Sequence, residues 1–522
     1  MTQIDTSRRG FLKSAVAASA AMMSAAAVHA GIPAKSVAKY DETFDVVIIG
    51  SGFAGMACAL KAGRAGLKVL MIEKMSTVGG NSAICGGNVA CPVNPVQKAQ
   101  GIKDSKELFI ADCLKDGLGI NHTNLLSTIA DRCNDTIQMV VDCGCEFVPN
   151  KMLFEGGHSV PRSYEIKAGT GSGYIRPMHE ELKKLKNVVI RTRCKFDDFV
   201  MEEDGSVAGI VCRTGYRFNN KAVSDDLENK TGKKSVVRAT KGVMLAAGGF
   251  SRDIFFRQIQ DPRVVPTTDS TNQPGATSES WREVSRIGAR VIQADWIQCL
   301  PSCSPLEKGM GKATHFASIS GSLFGFWLSS LTGERFVNEF GDRKVCTDAI
   351  LTVINKGGHA LALSDSDGVA HLEKLRPGLF DQMIAEKTVV KYEDAEALAK
   401  AYEMDPEVLK KTIAQYNDDL AKQSDPKFGR RFDRSAKPIG SGPYFVSEMS
   451  PKVHHCMGGV ATAVDTAVLD VMTDKPIPGL FAAGEFVGGI HGAVRIGACA
   501  VMDCLVNGRE AGRMAAQSKA WF

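Results

Sequence analysis

The first clear turn in the pattern of apolar and polar positions comes at Asp45-Val46-Val47-Ile48-Ile49-Gly50. This run is apolar without alternation, as expected for a strand buried on both faces. Small residues then predict a helix through Ala65, and Leu67-Lys68-Val69-Leu70-Met71-Ile72 predicts a second strand ending at Glu73. Two further apolar runs lead into small-residue turns: Val243-Met244-Leu245-Ala246-Ala247-Gly248-Gly249-Phe250-Ser251, and Gly479-Leu480-Phe481-Ala482-Ala483-Gly484-Glu485. Helical spacing recurs over residues 393–402, and Asp405 before Pro406 reads as the cap of a helix reaching about Leu420. Residues 219–235 are rich in Lys, Asn, Asp and Ser and read as a surface hairpin excursion; no internal repeat is found.

Between the first strand and its helix lies Gly50-Ser51-Gly52-Phe53-Ala54-Gly55, with an acid, Glu73, 23 residues after Gly50. A G-x-G-x-x-G in that setting is a strong dinucleotide-binding signal. Gly50 permits the tight turn, Gly52 lets backbone approach a diphosphate, and Gly55 lets helix and strand pack closely. The diphosphate then rests on the helix N-terminus, and Glu73 accepts from a ribose hydroxyl. Gly79-Gly80-Asn81-Ser82 and Gly86-Gly87-Asn88 offer a second wrapping segment.

Composition narrows the class. The 522 residues are about three domain-equivalents, and 44% hydrophobic with 23% charged residues excludes disordered, collagenous and coiled-coil chains. A net charge of +5 with no basic run carrying interleaved aromatics argues against a nucleic-acid partner. The N-terminus changes the count. Ser7-Arg8-Arg9-Gly10-Phe11-Leu12-Lys13, an Ala-rich stretch over residues 14–28 and the ending Val28-His29-Ala30 describe a cleavable twin-arginine export signal over residues 1–30. Its loss leaves 60 basic and 57 acidic residues, a charge of +3. A periplasmic location and no membrane span in the mature chain are expected, with the twin-arginine machinery as a partner. The fifteen cysteines sit mostly in apolar runs and are expected to be reduced core thiols; their odd number leaves at least one unpaired. No C-x-x-C-H for attached haem and no four-ligand zinc pattern occurs, so no metal site is expected.

Over residues 44–518 the sequence resembles the flavoprotein subunit of the fumarate reductase/succinate dehydrogenase family, especially its exported, flavocytochrome c-type members. The likeness rests on the turns above and on several further motifs. These are Gly156-Gly157-x4-Arg162 with Gly169-x-Gly171-x-Gly173, Arg335-Phe336-Val337-Asn338-Glu339 with Arg343, and Val453-His454-His455-Cys456-Met457-Gly458-Gly459. The last is Gly488-Gly489-Ile490-His491-Gly492-Ala493-Val494-Arg495-Ile496-Gly497. The resemblance implies an α/β fold: a split Rossmann-like FAD-binding domain, placed at 40–297 and 457–522, with an inserted α+β capping domain at 298–456. It implies FAD held by Gly50, Gly52, Phe53, Ala54, Gly55, Glu73, Lys74, Gly79, Gly80, Asn81, Ser82, Gly86, Gly87, Ala247, Gly248, Glu485, Arg495, Gly497, Ala500 and Val501. No histidine of the covalent-flavin pattern stands near Asn81-Ser82, so noncovalent FAD is expected.

Family members reduce an activated C=C bond, with hydride from flavin N5 adding β to a carboxylate and a cap residue protonating the α carbon. Matched by position, His455 and Arg495 resemble the carboxylate clamp and Arg343 the proton donor. A guanidinium is almost always protonated, so Arg343 can act only as a relay refilled from a neighbour; the alternative assignment is simple pairing with substrate or Glu339. The chain departs from the family at the other end of the pocket. The Q-x-H-P-T-like segment reads Gln298-Cys299-Leu300-Pro301-Ser302, and Ser318, Ile319 and Ser322 occupy the positions of T-E-x-x-R. Tyr164 stands where the family has a histidine after Arg162. Leu300 and Ser318 with His455 and Arg495 are therefore the expected substrate contacts, and Leu300, Phe324 and Phe326 are expected to make that end apolar. A pocket with one set of cationic donors rejects a dicarboxylate, because the second charge is buried unpaired.

The expected function is periplasmic reduction of an unsaturated monocarboxylate such as acrylate, methacrylate or an aryl-acrylate. Electrons would come from a separate c-type cytochrome, periplasmic or membrane-bound, in anaerobic respiration. The alternatives are a fumarate or urocanate reductase proper, a flavin dehydrogenase of the ketosteroid 1-dehydrogenase type, and a non-catalytic flavin electron carrier. An L-aspartate oxidase is disfavoured by the export signal. Tyr164, Asp342 and a water chain are the candidates for reprotonating Arg343.

Overall fold

The computed structural model describes residues 31–222, 224–262, 264–433 and 435–520. The export-signal reading of residues 1–30 lies outside the described residues.

The apolar run at 45–49 forms the end of the strand Glu42–Ile49, and the small residues after it form the helix Phe53–Arg64. This helix crosses to Val69–Ile72, which pairs parallel with Glu42–Ile49. The unit is a βαβ crossover, and its glycine turn lies at the carboxyl end of the strands, where α/β sheets bind ligands. Among the described residues the sheet has nine strands. Its longest, Lys233–Leu245, pairs antiparallel with Val207–Thr214 through residues 233–238. It pairs parallel with Glu42–Ile49, and over residues 243–245 parallel with Pro476–Ala482 as well. The antiparallel pairing of 214 with 233 makes residues 215–232 the excursion of a hairpin.

Both ends of the chain therefore build one layer. The returning segment ends in the helix Cys499–Gln517, which lies against Phe53–Arg64. Contact is close because Gly508 faces Ala54 and Gly512 faces Cys58, so backbone meets backbone where any side chain would collide.

Residues between these halves make a second body. Gly325–Ser329, Ala360–Ser364, Tyr444–Met449 and Val390–Tyr392 form a four-stranded antiparallel sheet, with apolar clusters of its own drawn from residues 313–449. Helices Ala395–Ala401 and Pro406–Ala421 lie against it; Asp405 caps the second as expected, while Asp394, read from the sequence as part of the first turn, caps the first. At its centre Arg335 grips Glu339 through two bonds of 2.8 and 2.7 Å and Asp425 through one of 2.8 Å, while Arg430 holds the Gly325 carbonyl. This buried ionic group satisfies each charge with a partner, the condition under which burial is tolerated. An antiparallel ribbon, Ile297–Leu300 against Lys452–Cys456, joins the two bodies. The fifteen cysteines are unpaired, and all but Cys85 and Cys504 are buried.

Candidate active site

The glycine turn opens a cleft of about 860 Å³, part of it open to solvent. Twelve of the expected cofactor residues line it: Gly50, Gly52, Phe53, Ala54, Glu73, Lys74, Gly80, Asn81, Ser82, Ala247, Gly248 and Glu485. Gly50 has φ +105° and abuts the Ala246 carbonyl, so no residue with a Cβ fits there. Gly55 packs on the Gly50 carbonyl, while Gly248 (φ +77°) has no atom within 4 Å of where a Cβ would stand and faces open space. At the helix N-terminus the Phe53 amide donates to Ser82 Oγ at 3.0 Å. Glu73 accepts from Ser51 Oγ at 2.6 Å and from the Met75 amide at 2.9 Å, which fixes the carboxylate at the end of its strand. Lys74 pairs with Glu279 and Thr277 in the cleft wall. Burial opposes ionisation of Glu279, but the Lys74 and Lys195 charges hold its carboxyl down at about 2. Size, orphan helix amides and the acid at the second strand fit a dinucleotide, and the room over Gly248 fits a ring system beyond it.

The remaining expected contacts stand outside this lining. Gly79 donates its amide to Ser51 Oγ, and Gly87 accepts from the Tyr174 hydroxyl through its carbonyl. Gly497 donates to the Gly156 carbonyl, and Ala500 and Val501 begin the C-terminal helix. Gly86 has no neighbour within 4 Å of a would-be Cβ.

Three separate elements deliver Arg343, His455 and Arg495. Arg343 is the first residue of helix Arg343–Asn355, whose cap, Asp342, accepts from the amides of Lys344 and Val345. His455 lies in the ribbon opposite Gln298. Arg495 precedes the C-terminal helix and donates its amide to Gln298 Oε1 at 2.9 Å. Each of the three carries a buried polar atom without a partner: Arg343 Nη1, His455 Nε2 and Arg495 Nε. Gln298 Nε2 is in the same condition. Unpaired buried donors are costly, so a group of them points to a ligand they are kept to bind.

Electrostatics bind the trio together. Burial and then the Arg495 charge pull the Arg343 guanidinium down to about 9. Its place at a helix N-terminus, where cations are disfavoured, acts the same way. Burial and the Arg495 charge also push His455 well below the usual imidazole range, so the ring is neutral. Its Nδ1 lies 3.5 Å from Glu485 Oε1, and its ring meets His491 edge-on, which in turn contacts Asp503 at 3.1 Å. Burial raises Glu485 to about 7, against the opposing pull of the Cys456 amide and the Arg495 charge. His454 turns its Nδ1 to Thr271 Oγ1 at 2.7 Å.

The far end carries hydroxyls. Ser302 Oγ lies 2.8 Å from Thr314 Oγ1 and 3.4 Å from Ser318 Oγ, with Ser318 exposed and Leu300 half-buried on the ribbon. Two lysines of these segments are committed to other partners: Lys312 to Glu386, and Lys452 to the carbonyls of Glu307 and Gly309. Phe326 and Phe324 do not make this end apolar. Phe326 packs on Tyr416 in the cap core, and Phe324 lies on His371. A β-strand sends alternate side chains to opposite faces, and position 326 falls on the core face. Tyr164 stacks against Phe147, and Arg162 is fully buried among Asp104, Asp112 and His158. Sequence reasoning overlooked Gln298, although it stands in the Gln298–Ser302 segment inspected for its missing histidine.

A cleft at the carboxyl ends of parallel strands, with a glycine turn and an acid at the second strand, is the setting of a dinucleotide-dependent enzyme, and the unpartnered buried atoms of Arg343, His455 and Arg495 add a candidate anion site. Residues 45–501 match the family model described as an FAD binding domain. The chain is 39% identical over 516 residues to the acrylate reductase flavoprotein subunit of Shewanella woodyi, covering 98% of each. It is 31% identical over 475 residues to a urocanate reductase of Eggerthella lenta, covering 90% of this chain and 74% of that one. A solved structure, the open conformation of a flavocytochrome c3 fumarate reductase, superposes with a TM-score of 0.73 at 29% identity, covering 92% of this chain and 79% of the other. The chain belongs to this FAD-binding flavoprotein family of fumarate reductase-like enzymes. It is an FAD-dependent oxidoreductase acting on CH–CH groups, a reductase of the enoate and fumarate type.

Proposed function

We propose that this enzyme reduces the C=C bond of an unsaturated monocarboxylate, acrylate or a near homologue. The observation that carries the reading is the trio of unpartnered buried polar atoms on Arg343, His455 and Arg495, set against a far end that holds hydroxyls and whose lysines, Lys312 and Lys452, are committed to other partners. The acrylate reductase subunit, matched over nearly its whole length, supports the same substrate class. A second reading, urocanate, is favoured by the hydroxyl group Ser302–Thr314–Ser318, which suits a neutral heteroaryl end, and by the urocanate reductase match.

The cleft would hold FAD noncovalently, the glycine turn and Ser82 binding its diphosphate, Glu73 its ribose, and Glu485, Arg495 and Gly497 the ring end. When bound, FAD supplies the hydride for the β carbon. Arg495 and neutral His455 hold the carboxylate and stabilise the charge that builds on it. Arg343 gives a proton to the α carbon; its lowered affinity for that proton makes a guanidinium serviceable as an acid. The domains are read as 40–297 with 457–522 for FAD and 298–456 for the cap, so Arg343 and His455 come from the cap and Arg495 from the FAD domain. Export by the twin-arginine route, a periplasmic site and a c-type cytochrome donor complete the proposal.

Arg343→Gln tests the assignment. Reduced flavin in the variant is expected to stay reduced when enoate is added, with flavin content and substrate-analogue affinity kept. Reoxidation at the wild-type rate would remove Arg343 from the reaction.

A further inference from the structure

One condition of the carboxylate clamp is chemical. A neutral imidazole carries a single N–H, so His455 Nε2 donates to a carboxylate only when the ring proton is not on Nδ1. The neighbour of Nδ1 therefore decides what Nε2 offers. Nδ1 lies 3.5 Å from Glu485 Oε1, while Nε2 is buried without a partner. That separation is longer than a made hydrogen bond and within reach of a small ring turn.

Glu485 is fixed where it can play this part. It lies in the turn Gly484–Phe486, and its Oε1 accepts from the Cys456 amide at 2.9 Å. Cys456 follows His455 on the ribbon, so one strand sets both ring and carboxyl. Gly249 leaves the carboxyl its place: a Cβ there would collide with Oε1. Other groups stand around the pair. His491 meets the His455 ring edge-on and contacts Asp503, and Cys504 Sγ lies beside Gly484. Arg495 is tied to Gln298, which faces His455 across the ribbon. The charges of Arg495 and Arg343 bear on His455, as does His454 from the same strand. Among the described residues Glu485 is the carboxylate at Nδ1.

With Glu485 ionised, its carboxylate draws the ring proton to Nδ1, and a bare Nε2 lone pair faces the pocket. A substrate carboxylate is then repelled. One more proton on the pair changes this. Glu485 then donates its O–H to Nδ1, or Nδ1–H of an imidazolium faces the carboxylate; in both forms Nε2 carries a hydrogen. We infer that Glu485 sets the tautomer of His455, so that a substrate carboxylate is bound only when the two side chains together hold two protons. The inference rests on His455 contacting that carboxylate, as proposed above. Burial holds the Glu485 carboxyl up at about 7, so the two-proton form is ready below that pH and above it takes its proton from water. Only O–H and N–H bonds change. In this role Glu485 acts through the imidazole, as a positioning residue.

The test is acrylate binding to the oxidised, FAD-loaded enzyme, which has no hydride to give, measured by titration calorimetry on both sides of pH 7. The Kd should stay nearly constant below about 7 and rise about tenfold per pH unit above it, because binding there takes up one proton. His455→Gln, whose amide donates at any pH, should lose most of that slope. Nitrogen NMR of histidine-labelled wild type above that pH, with His455 assigned by its absence from His455→Gln, should show Nδ1–H alone before acrylate and a protonated Nε2 after it. A flat wild-type Kd overturns the inference, as does Nε2–H already present there without acrylate. A full slope kept in His455→Gln overturns it too, and marks plain repulsion of the substrate by Glu485. Absence of acrylate binding at every pH removes the monocarboxylate reading and this inference with it; binding with a flat Kd removes the inference alone.

Discussion

Single residues here do their work through what they lack. Arg343, His455, Arg495 and Gln298 each present a buried atom with no partner, and Glu485 is a carboxyl kept partly neutral by burial. The Glu485 shift has a stability consequence with a definite sign. A carboxyl raised in the folded state binds its proton more tightly there than in the unfolded chain. Its contribution is therefore full below the ordinary glutamate value, about 4.3, and is lost as pH rises through about 7. In the FAD-free protein, Glu485→Gln should remove that loss. Thermal melts should show wild type falling relative to the variant between pH 4.5 and 7, and parallel curves would contradict the assignment. At this scale the sequence was legible wherever a motif fixes backbone, as at Gly50, Gly55 and Glu73. It was not legible for Phe326, whose direction depends on which face of a cap strand meets Tyr416.

Among elements, the contact between Phe53–Arg64 and Cys499–Gln517 matters most to the site, since it sets the helix N-terminus against the cleft. Gly508 lets it form; a Cβ there would stand 2.6 Å from Ala54 Cα and collide with the Ala54 carbonyl. Gly508→Ala should cost about 1–3 kcal/mol by overpacking and lower FAD occupancy together with the thermal midpoint. An unchanged midpoint with full FAD would show that the helices can separate freely. Elements with local signals were legible: Asp405 caps the helix that its Pro406 announces, and the helical spacing at 393–402 is a helix from Ala395 to Ala401. The ribbon Ile297–Leu300 with Lys452–Cys456 was not, because its two strands are about 150 residues apart and only their pairing identifies them.

For the whole molecule, two ends of one chain make the large sheet, the segment between them carries Arg343 and the neutral His455, and Arg495 comes from the returning segment. The noncovalent binding proposed above can be tested on the holoprotein. Denaturing the holoprotein and sedimenting it should leave the flavin in the supernatant; flavin that stays with the precipitated chain would require a covalent link. The described residues contain no helix long and apolar enough to cross a membrane.

The central claim is a site for one carboxylate, and the ratio of kcat/KM for acrylate to that for fumarate tests it most directly, measured anaerobically with FAD-loaded enzyme and a reduced viologen. Leaving a buried charge unpaired costs several kcal/mol, so acrylate should be favoured by about 10²-fold or more. A ratio below one, with fumarate turned over well above every monocarboxylate, would contradict it.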